Sequence, residues 1–267
     1  MMGVKQRMVG RLLVRGLVCL GLVGITVDQA WSDAILWPVQ MPYEAPPKSE
    51  PVPDVSVAPN TKALTPEELQ RAEALLPLLE GKQEFWAMGE FVHLGEPVLS
   101  VVTKALAMPG PRIRYNAIET LSMIKSPAAV PALLDTAKLG TELPRIREHA
   151  LRVAVRLDPM EAAPAIEAMA KDANASIRKA AAVEARYVRR KEVIQPLIDL
   201  LGDDERFVAL SAVQSLWTLT RHETDFHDWD ASSKQDRQAW AQEWIDWWNQ
   251  SKEMFEMPEP KSRKRAG

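Results

Sequence analysis

The sequence is almost without cysteine, because Cys19 is the single one among 267 residues and it lies inside an apolar run near the N-terminus. A chain cut after residue 34 would hold no thiol. This absence excludes a disulfide framework, a cysteine-ligated metal and a thiol nucleophile from such a chain. It does not decide the compartment, because exported proteins can fold without disulfides.

The chain also lacks an excess of positive charge. Its formal net charge is −3, and removing residues 1–34, which hold four basic and two acidic groups, leaves −5. A nucleic-acid-binding protein needs a basic face that displaces counterions from phosphates. The composition therefore argues against nucleic acid as the partner.

Signatures of common active sites are missing as well. The sequence shows no glycine-rich phosphate loop, no Ser-His-Asp spacing and no carboxylate pair whose placement requires general acid–base chemistry. After the N-terminal run, no segment approaches the length of a membrane span. We therefore predict a protein that is not an enzyme and that carries no cofactor.

The N-terminus is typical of an export signal. Residues 1–15 carry four positive charges and no negative one, and residues 16–27 are apolar over about twelve positions. Such a run is too short to cross a bilayer and fits the core of a signal peptide. Small residues at Ser32 and Ala34 favour cleavage after Ala34. We predict a signal peptide over residues 1–34 and a periplasmic or secreted protein, with an uncleaved anchor as the alternative.

A proline-rich linker follows over residues 35–64, with seven prolines between positions 38 and 59. Proline fixes φ and removes a hydrogen-bond donor, so this segment is expected to be an extended spacer. Thr65-Pro66-Glu67-Glu68 then has the pattern of a capping box with proline in the first turn. The helix that it begins is predicted to close the N-terminal end of the next region.

A short apolar pattern recurs four times between Arg112 and Leu219, with an aliphatic residue followed by small or apolar residues four, eight and eleven positions later. The copies are offset by 33, 31 and 31 residues. The pattern consists of Ile113, Ala117, Leu121 and Ile124; Ile146, Ala150, Ala154 and Leu157; Ile177, Ala181, Ala185 and Val188; and Val208, Ala212, Leu216 and Leu219. This period predicts an array of helix pairs whose stacking builds one continuous core.

Each copy is predicted to have a second helix that carries a proline near its start. Pro131, Pro164 and Pro196 recur at offsets of 33 and 32 residues. A proline inside a helix loses one hydrogen bond, so the pattern predicts a bend that follows a superhelix. A degenerate copy with Ala87 and Phe91 precedes the others, which gives about five helix pairs.

The period, the aliphatic-Arg step and the proline-led second helix resemble bacterial HEAT repeats, including the short variety of phycobilisome-lyase-like proteins. The step reads Ile113-Arg114, Ile146-Arg147 and Ile177-Arg178, whereas the fourth copy has Val208-Ala209. The resemblance covers roughly residues 65–250 and implies an all-α, right-handed α-solenoid whose repeats span residues 65–220.

The resemblance also implies a role for the repeated arginines. In this family the arginine usually ties neighbouring copies through an aspartate in the preceding turn, and Asp172 before Arg178 fits that role. The alternative is that Arg114, Arg147 and Arg178 form a line of positive charges for an anionic ligand.

The period breaks after Leu219, and a tryptophan-rich helix follows. Trp240, Trp244, Trp247 and Trp248 fall on one helical face. We predict that residues 221–250 form a loop and a capping helix that seals the array. The alternative is an exposed docking surface for a partner. Residues 251–267 are predicted to be a disordered basic tail.

The loop before this helix holds weak candidates for a metal site. His222, His227 and Asp225 lie close together in sequence, but zinc requires converging ligands and the fixed glycine of a calcium loop is absent. A hydrogen-bonded loop that braces the cap is the favoured interpretation, so no metal is predicted.

These observations predict an exported, non-catalytic protein-binding scaffold or assembly factor of the cell envelope. The partner is expected to be another protein, docked on a concave face lined by second helices near Thr136, Glu167, Lys171 and Asp199. One alternative is a lyase-like or cofactor-handling HEAT-repeat enzyme. A second alternative is a structural subunit of a membrane-associated complex, held by an uncleaved N-terminal anchor.

Overall fold

The structure is a computed structural model that describes residues 63–222, 224 and 228–259. The predicted signal peptide and nearly all of the proline-rich linker lie outside these residues. Both therefore stay predictions. Within the described part of the chain the regular structure is entirely helical, with no strand.

Eleven α-helices occur in the described residues. They are α1 Pro66–Leu75, α2 Glu84–Leu94, α3 Leu99–Val102, α4 Pro111–Ile124, α5 Val130–Lys138, α6 Pro144–Leu157, α7 Ala163–Ala170, α8 Ala175–Ala185, α9 Ile194–Asp199, α10 Arg206–Thr220 and α11 Lys234–Ser251. Short 3-10 turns connect several of them, at Leu76–Leu79, Glu96–Val98, Thr103–Ala107, Pro127–Ala129, Lys191–Val193 and Leu200–Gly202.

The helices form two rows. In the first-helix row, α2, α4, α6, α8 and α10 each pack on the next member. In the second-helix row, α5, α7, α9 and α11 likewise pack in succession, and α3, which packs on α1 and α4, stands at the start. The predicted all-α solenoid of about five helix pairs is confirmed. Helix α1 begins at the predicted capping box of Thr65 and Glu68 and packs against α3.

The repeated apolar pattern forms the core of the array. Nearly all of its members are buried, and the two exceptions, Ile124 and Leu157, are partly buried against the same core. The alanine at the second position of each copy is completely buried, at Ala117, Ala150, Ala181 and Ala212. A side chain this small allows neighbouring helices to pack closely, so that adjacent copies bury surfaces that a single pair would expose.

The recurring prolines stand in the first turns of the second helices. Pro131 and Pro164 are the second residues of α5 and α7, and Pro196 is the third residue of α9. The first amides of a helix have no partner within it, so proline there removes no hydrogen bond. The predicted bend inside these helices is therefore wrong, and the prolines mark helix starts.

Three arginines form a ladder between neighbouring copies, the arginine ladder. Its ion pairs are Arg114 Nε with Glu142 Oε2 at 2.5 Å, Arg147 Nη2 with Asp172 Oδ2 at 2.5 Å, and Arg178 Nε with Asp203 Oδ2 at 2.6 Å. Each carboxylate lies in the turn that leads to the next first helix. Arg114 and Arg178 also donate to backbone carbonyl oxygens just before their own helices, and Arg147 donates to the carbonyl oxygen of Ala137 in α5. The guanidinium groups are thus occupied between copies and do not form a line of free charges.

The direction of the ladder differs from the expectation. The Asp172 carboxylate accepts from Arg147, and only the backbone oxygen of Asp172 accepts from Arg178. The arginine therefore reaches the carboxylate of the turn that follows its copy. Burial is the largest single influence on the pKa of Asp203 and raises it. The hydrogen bonds from Arg178 and from the backbone of Glu205, together with the charge of Arg178, outweigh burial and hold the pKa below its usual value.

The tryptophan helix α11 closes the array as predicted. It continues the second-helix row and packs on α9 and on the turn Leu200–Gly202. Trp240, Trp244 and Trp248 are at most 5% exposed. The indole stripe is therefore core and leaves little surface for a partner.

The predicted basic tail begins with residues that pack on the array. Phe255 contacts the rings of Trp247 and Trp248, with centroids 5.9 and 5.3 Å away. Further along, the carbonyl oxygen of Pro258 accepts a hydrogen bond from Arg189. Residues 260–267 lie outside the described part of the chain.

Candidate protein-binding surface

Thr136, one of the four residues predicted to line a docking face, is buried in the structure. The residue is 7% exposed, and its hydroxyl donates to the carbonyl oxygen of Ala132 at 2.9 Å. The side chain is thus enclosed by the array and bonded within its own helix. Thr136 has almost no surface to offer a partner.

The other three predicted site residues are exposed on the second-helix row, but their polar groups have local partners. Lys171 Nζ lies 3.0 Å from Glu167 Oε1, one turn away on α7 and its C-terminal end. Asp199 accepts a hydrogen bond from Gln195 at 2.8 Å within α9. Glu167 borders a groove of about 440 Å³ that also contains Arg190. The structure brings Glu167 and Lys171 together, whereas Asp199 lies on the next helix of the row.

A different surface, on the first-helix row, has the features of a binding site. A groove of about 480 Å³ lies between α2 and α4, and we call it the apolar groove. Phe85, Met88, Val92 and Met123 provide its apolar lining, with Tyr115 beside them. Phe85 is 77% exposed and Met123 is 42% exposed. Apolar side chains grouped in this way on a surface are typical of interaction sites.

Local sequence explains why this groove is open. The buried faces of α2 at Ala87 and Phe91 turn Phe85 and Gly89 outward. Gly89 places no side chain between the two helices, and a Cβ there would meet no atom within 4 Å. The groove is therefore open at Gly89, and the exposed ring of Phe85 contributes to its lining.

Polar contacts hold the two walls of the apolar groove together. Arg112 Nη2 lies 2.5 Å from Glu84 Oε1, across from α4 to α2. Asn116 is buried and donates to the backbone oxygen of Leu79 at 2.7 Å and to Glu84 at 3.0 Å. The hydrogen bond from Arg112 lowers the pKa of Glu84, so the carboxylate stays charged at neutral pH. The walls are thus set in place before any partner binds.

A stack of two rings connects the apolar groove to the next helix, α6. The rings of Tyr115 and His149 lie 4.5 Å apart and nearly parallel, and Arg145 lies over the Tyr115 ring at 5.2 Å. His149 Nε2 is 3.1 Å from Glu119 Oε1, yet neither ring nitrogen makes a hydrogen bond. Burial is the largest influence on the pKa of His149, and together with nearby arginines it outweighs Glu119 and lowers that pKa.

A second groove, the basic groove, lies further along the same row between α6 and α8. It has a volume of about 500 Å³, and Arg152, Arg156, Arg186 and Tyr187 contribute to its lining. Arg152 Nε lies 3.3 Å from a carboxylate oxygen of the buried Glu184. In the part of the chain that the structure describes, Arg156 forms no ion pair. This groove therefore presents positive charge that its own surroundings neutralise only in part.

Together the apolar groove, the Tyr115–His149 stack and the basic groove form one surface, which we call the first-helix track. It crosses four consecutive helices, α2, α4, α6 and α8. Sequence reasoning missed this surface, although a signal was present. Phe85 and Trp86 are aromatic residues that fall outside the buried pattern of their copy, and that position predicts exposure.

The metal candidates remain weak. His222 stacks on Trp247 with ring centroids 4.3 Å apart, and burial lowers the pKa of His222. Asp225 and His227 lie outside the described residues. Among the residues that are described, no group of three potential ligands is placed to hold a metal ion. Nor does any described helix combine the length and the apolar character that a membrane crossing requires.

Comparison with known proteins identifies the repeats. Residues 136–217 match the sequence model of the family described as HEAT repeats. This segment consists of HEAT repeats. The match runs from the end of α5 into α10, so it spans two complete helix pairs of the array and most of the first helix of the next.

Solved structures with a similar fold include the structure of the complex of CpcE and CpcF of phycocyanin lyase from Nostoc sp. PCC7120, with 21% sequence identity and a TM-score of 0.44. The match covers 55% of this chain and 96% of that chain. No curated protein matches this chain.

Proposed function

We propose that this HEAT-repeat protein is a non-catalytic scaffold that binds another protein on the first-helix track. The observation that carries the proposal is the open apolar groove, with Phe85 77% exposed at its rim. Burying a phenylalanine side chain contributes about 1.5–3 kcal/mol, which is lost while it faces water. A partner that covers this groove gains that contribution.

Three exposed apolar side chains on α2 and α4 are not part of the buried core. Phe85, Trp86 and Met123 are 77%, 49% and 42% exposed, whereas the stripe residues of the same helices are buried. Removing the exposed rings would leave the core contacts of Ala87 and Phe91 in place. Phe85 and Met123 line the same groove, and this grouping supports recognition over packing.

Recognition by a rigid surface fits the way the helices are joined. The Arg112–Glu84 pair fixes α4 to α2, and the arginine ladder fixes the later copies to one another. A surface that changes little on binding loses less conformational entropy than a flexible one. The track is therefore suited to holding a partner in a defined position.

The non-catalytic part of the proposal rests on how the polar groups of the track are used. Glu84 pairs with Arg112, Glu184 pairs with Arg152, and His149 is buried within a ring stack. None of these groups is an exposed acid or base of the kind that catalyses proton transfer. A chromophore absorbance band in protein purified from its host would contradict this part and favour the lyase-like alternative.

The proposal includes a location outside the cytoplasm. The basic and apolar pattern of residues 1–27, which is typical of an export signal, supports this location. N-terminal sequencing of the mature protein tests it. We expect a chain that begins at Ile35. A chain that still begins near Met1 would contradict cleavage and favour the anchored alternative.

The docking proposal is tested by affinity isolation from the native host with matched variants. Phe85→Ser removes the exposed ring, and Lys171→Gln changes the second-helix row instead. We expect wild type and Lys171→Gln to retain the same partner and Phe85→Ser to lose it. Loss with Lys171→Gln alone would assign docking to the second-helix row, and absence of any specific partner would contradict the scaffold.

A further inference from the structure

The first-helix track carries information about the chemistry of its partner, and this inference rests on the proposed function. We propose that the partner presents an acidic polypeptide segment with an apolar anchor. The anchor occupies the apolar groove between α2 and α4, and the acidic residues lie over the basic groove between α6 and α8.

Charge is the first argument. Exposed or half-exposed cations on α6 and at the C-terminal end of α8 include Arg145, Arg152, Arg156 and Arg186. The Glu184 carboxylate among them is buried and bound to Arg152. The protein as a whole has a net charge of −3, so this positive surface is a local feature. Arginine binds carboxylates through two parallel hydrogen bonds, and clustered cations attract acidic segments.

The lining of the apolar groove is the second argument. Phe85, Met88, Val92 and Met123 offer contacts to a hydrocarbon side chain, and methionine adapts to aliphatic and aromatic shapes alike. A groove of about 480 Å³ is large enough for one or two such side chains. Nucleic acid would not gain from these aliphatic contacts as a peptide anchor does. The lining therefore favours polypeptide over a phosphate backbone.

The distance between the two grooves sets the length of the segment. Neighbouring helices lie about 10 Å apart, so the two grooves are separated by roughly two helix spacings, about 20 Å. An extended chain advances about 3.3 Å per residue. The anchor and the acidic stretch are therefore expected about six residues apart.

Fluorescence anisotropy with the full-length protein and a designed peptide tests this inference. The probe is a labelled peptide with two leucines, a six-residue glycine-serine spacer and four glutamates. One control peptide replaces the leucines with serine, and the other replaces the glutamates with glutamine. We expect each control peptide to bind at least about tenfold more weakly, because each lacks one of the two contacts.

Protein variants locate the binding. Phe85→Ser is expected to weaken binding of the probe about tenfold and to leave the leucine-free peptide unaffected. Arg156→Gln is expected to weaken it about threefold and to reduce its dependence on salt. Lys171→Gln removes the same charge from the second-helix row and is expected to have no effect.

Three results would overturn the inference. The first is a glutamine peptide that binds as tightly as the probe. The second is binding of the probe that neither Phe85→Ser nor Arg156→Gln changes. The third is a single-stranded oligonucleotide that binds more tightly than the probe. If the probe fails while a host partner still depends on Phe85, the scaffold proposal stands and the acidic partner is wrong. If neither the probe nor a host partner binds, both fail.

Discussion

The middle of the array and its C-terminal end hold neighbouring helices together by different means. In the middle, Arg114, Arg147 and Arg178 bind carboxylates of the following turn. At the end, the ladder position is taken by the fully buried Ala209, and the tryptophans of α11 supply the contacts instead. Largely buried ion pairs join the copies in the middle, whereas indole packing closes the end, where the ion pairs Arg206–Asp230 and Lys234–Asp204 are exposed.

The ladder ion pairs and the indole packing have different structural requirements. Every ladder arginine needs the turn that leads to the next first helix, and no such helix follows α11 among the described residues. A buried guanidinium without a carboxylate would be strongly unfavourable. Indole rings need only apolar neighbours, so they can close an array that has no further copy to bind.

The largest effect is expected at the cap. Trp244 is completely buried, so Trp244→Ala should lower the free energy of unfolding by about 3–5 kcal/mol, through lost burial and the cavity left behind. Urea denaturation measures the change. Trp86→Ala, at a tryptophan 49% exposed, is the matched control and should cost much less. Equal losses in the two variants would mean that α11 does not close the array.

A smaller but clear effect is expected in the ladder. Arg147→Ala leaves the Asp172 carboxylate without its partner and should cost about 3 kcal/mol. Arg71→Ala breaks a pair with Glu90 whose arginine side chain is 70% exposed, and it should cost at most about 0.5 kcal/mol. Thermal or urea unfolding compares them. A ladder variant no worse than the exposed pair would show that the ladder adds nothing to stability.

The smallest effect on the free energy of unfolding is expected from a change of pH. One histidine in each of the two regions is expected to cause it. Burial lowers the pKa of His149 in the array and of His222 in the cap, so the unfolded chain binds more protons below about pH 6.5. Their contribution to stability is present above that pH and is lost as the pH falls. We expect the free energy of unfolding to decrease between pH 7.5 and 5.5.

The ladder carboxylates do not contribute to the change in stability between pH 7.5 and 5.5. The pKa of Asp172 and that of Asp203 are lowered, so their contributions are lost only at more acidic pH. His149→Gln and His222→Gln should each flatten the pH dependence in urea denaturation. An unchanged slope in both variants would show that neither buried ring governs it.

The core of the array could be predicted from the sequence because its cause is local and periodic. The spacing of Ile113, Ala117 and Leu121 fixes one helical face, and the repeat of that face requires copies to stack. The tryptophan stripe of α11 was predicted for the same reason. The direction of the arginine ladder was not, because spacing alone does not tell which of two adjacent turns Arg147 reaches.

The candidate site could be predicted only in part. Exposure depends on how neighbouring helices are rotated against each other, and that rotation buries Thr136 while it leaves Phe85 in solvent. The position of Phe85 outside the apolar pattern carried a signal of exposure. The grooves themselves arise between helices more than 20 residues apart in sequence, so they emerge only when those helices are packed.

The central claim is that a partner covers the first-helix track, and site-specific photo-crosslinking in the host tests it most directly. A photoreactive amino acid takes the place of Phe85 in one variant and of Lys171 in a second. The account predicts a discrete covalent adduct with another protein from position 85 and none from position 171. An adduct from position 171 alone, or from neither position, would contradict it.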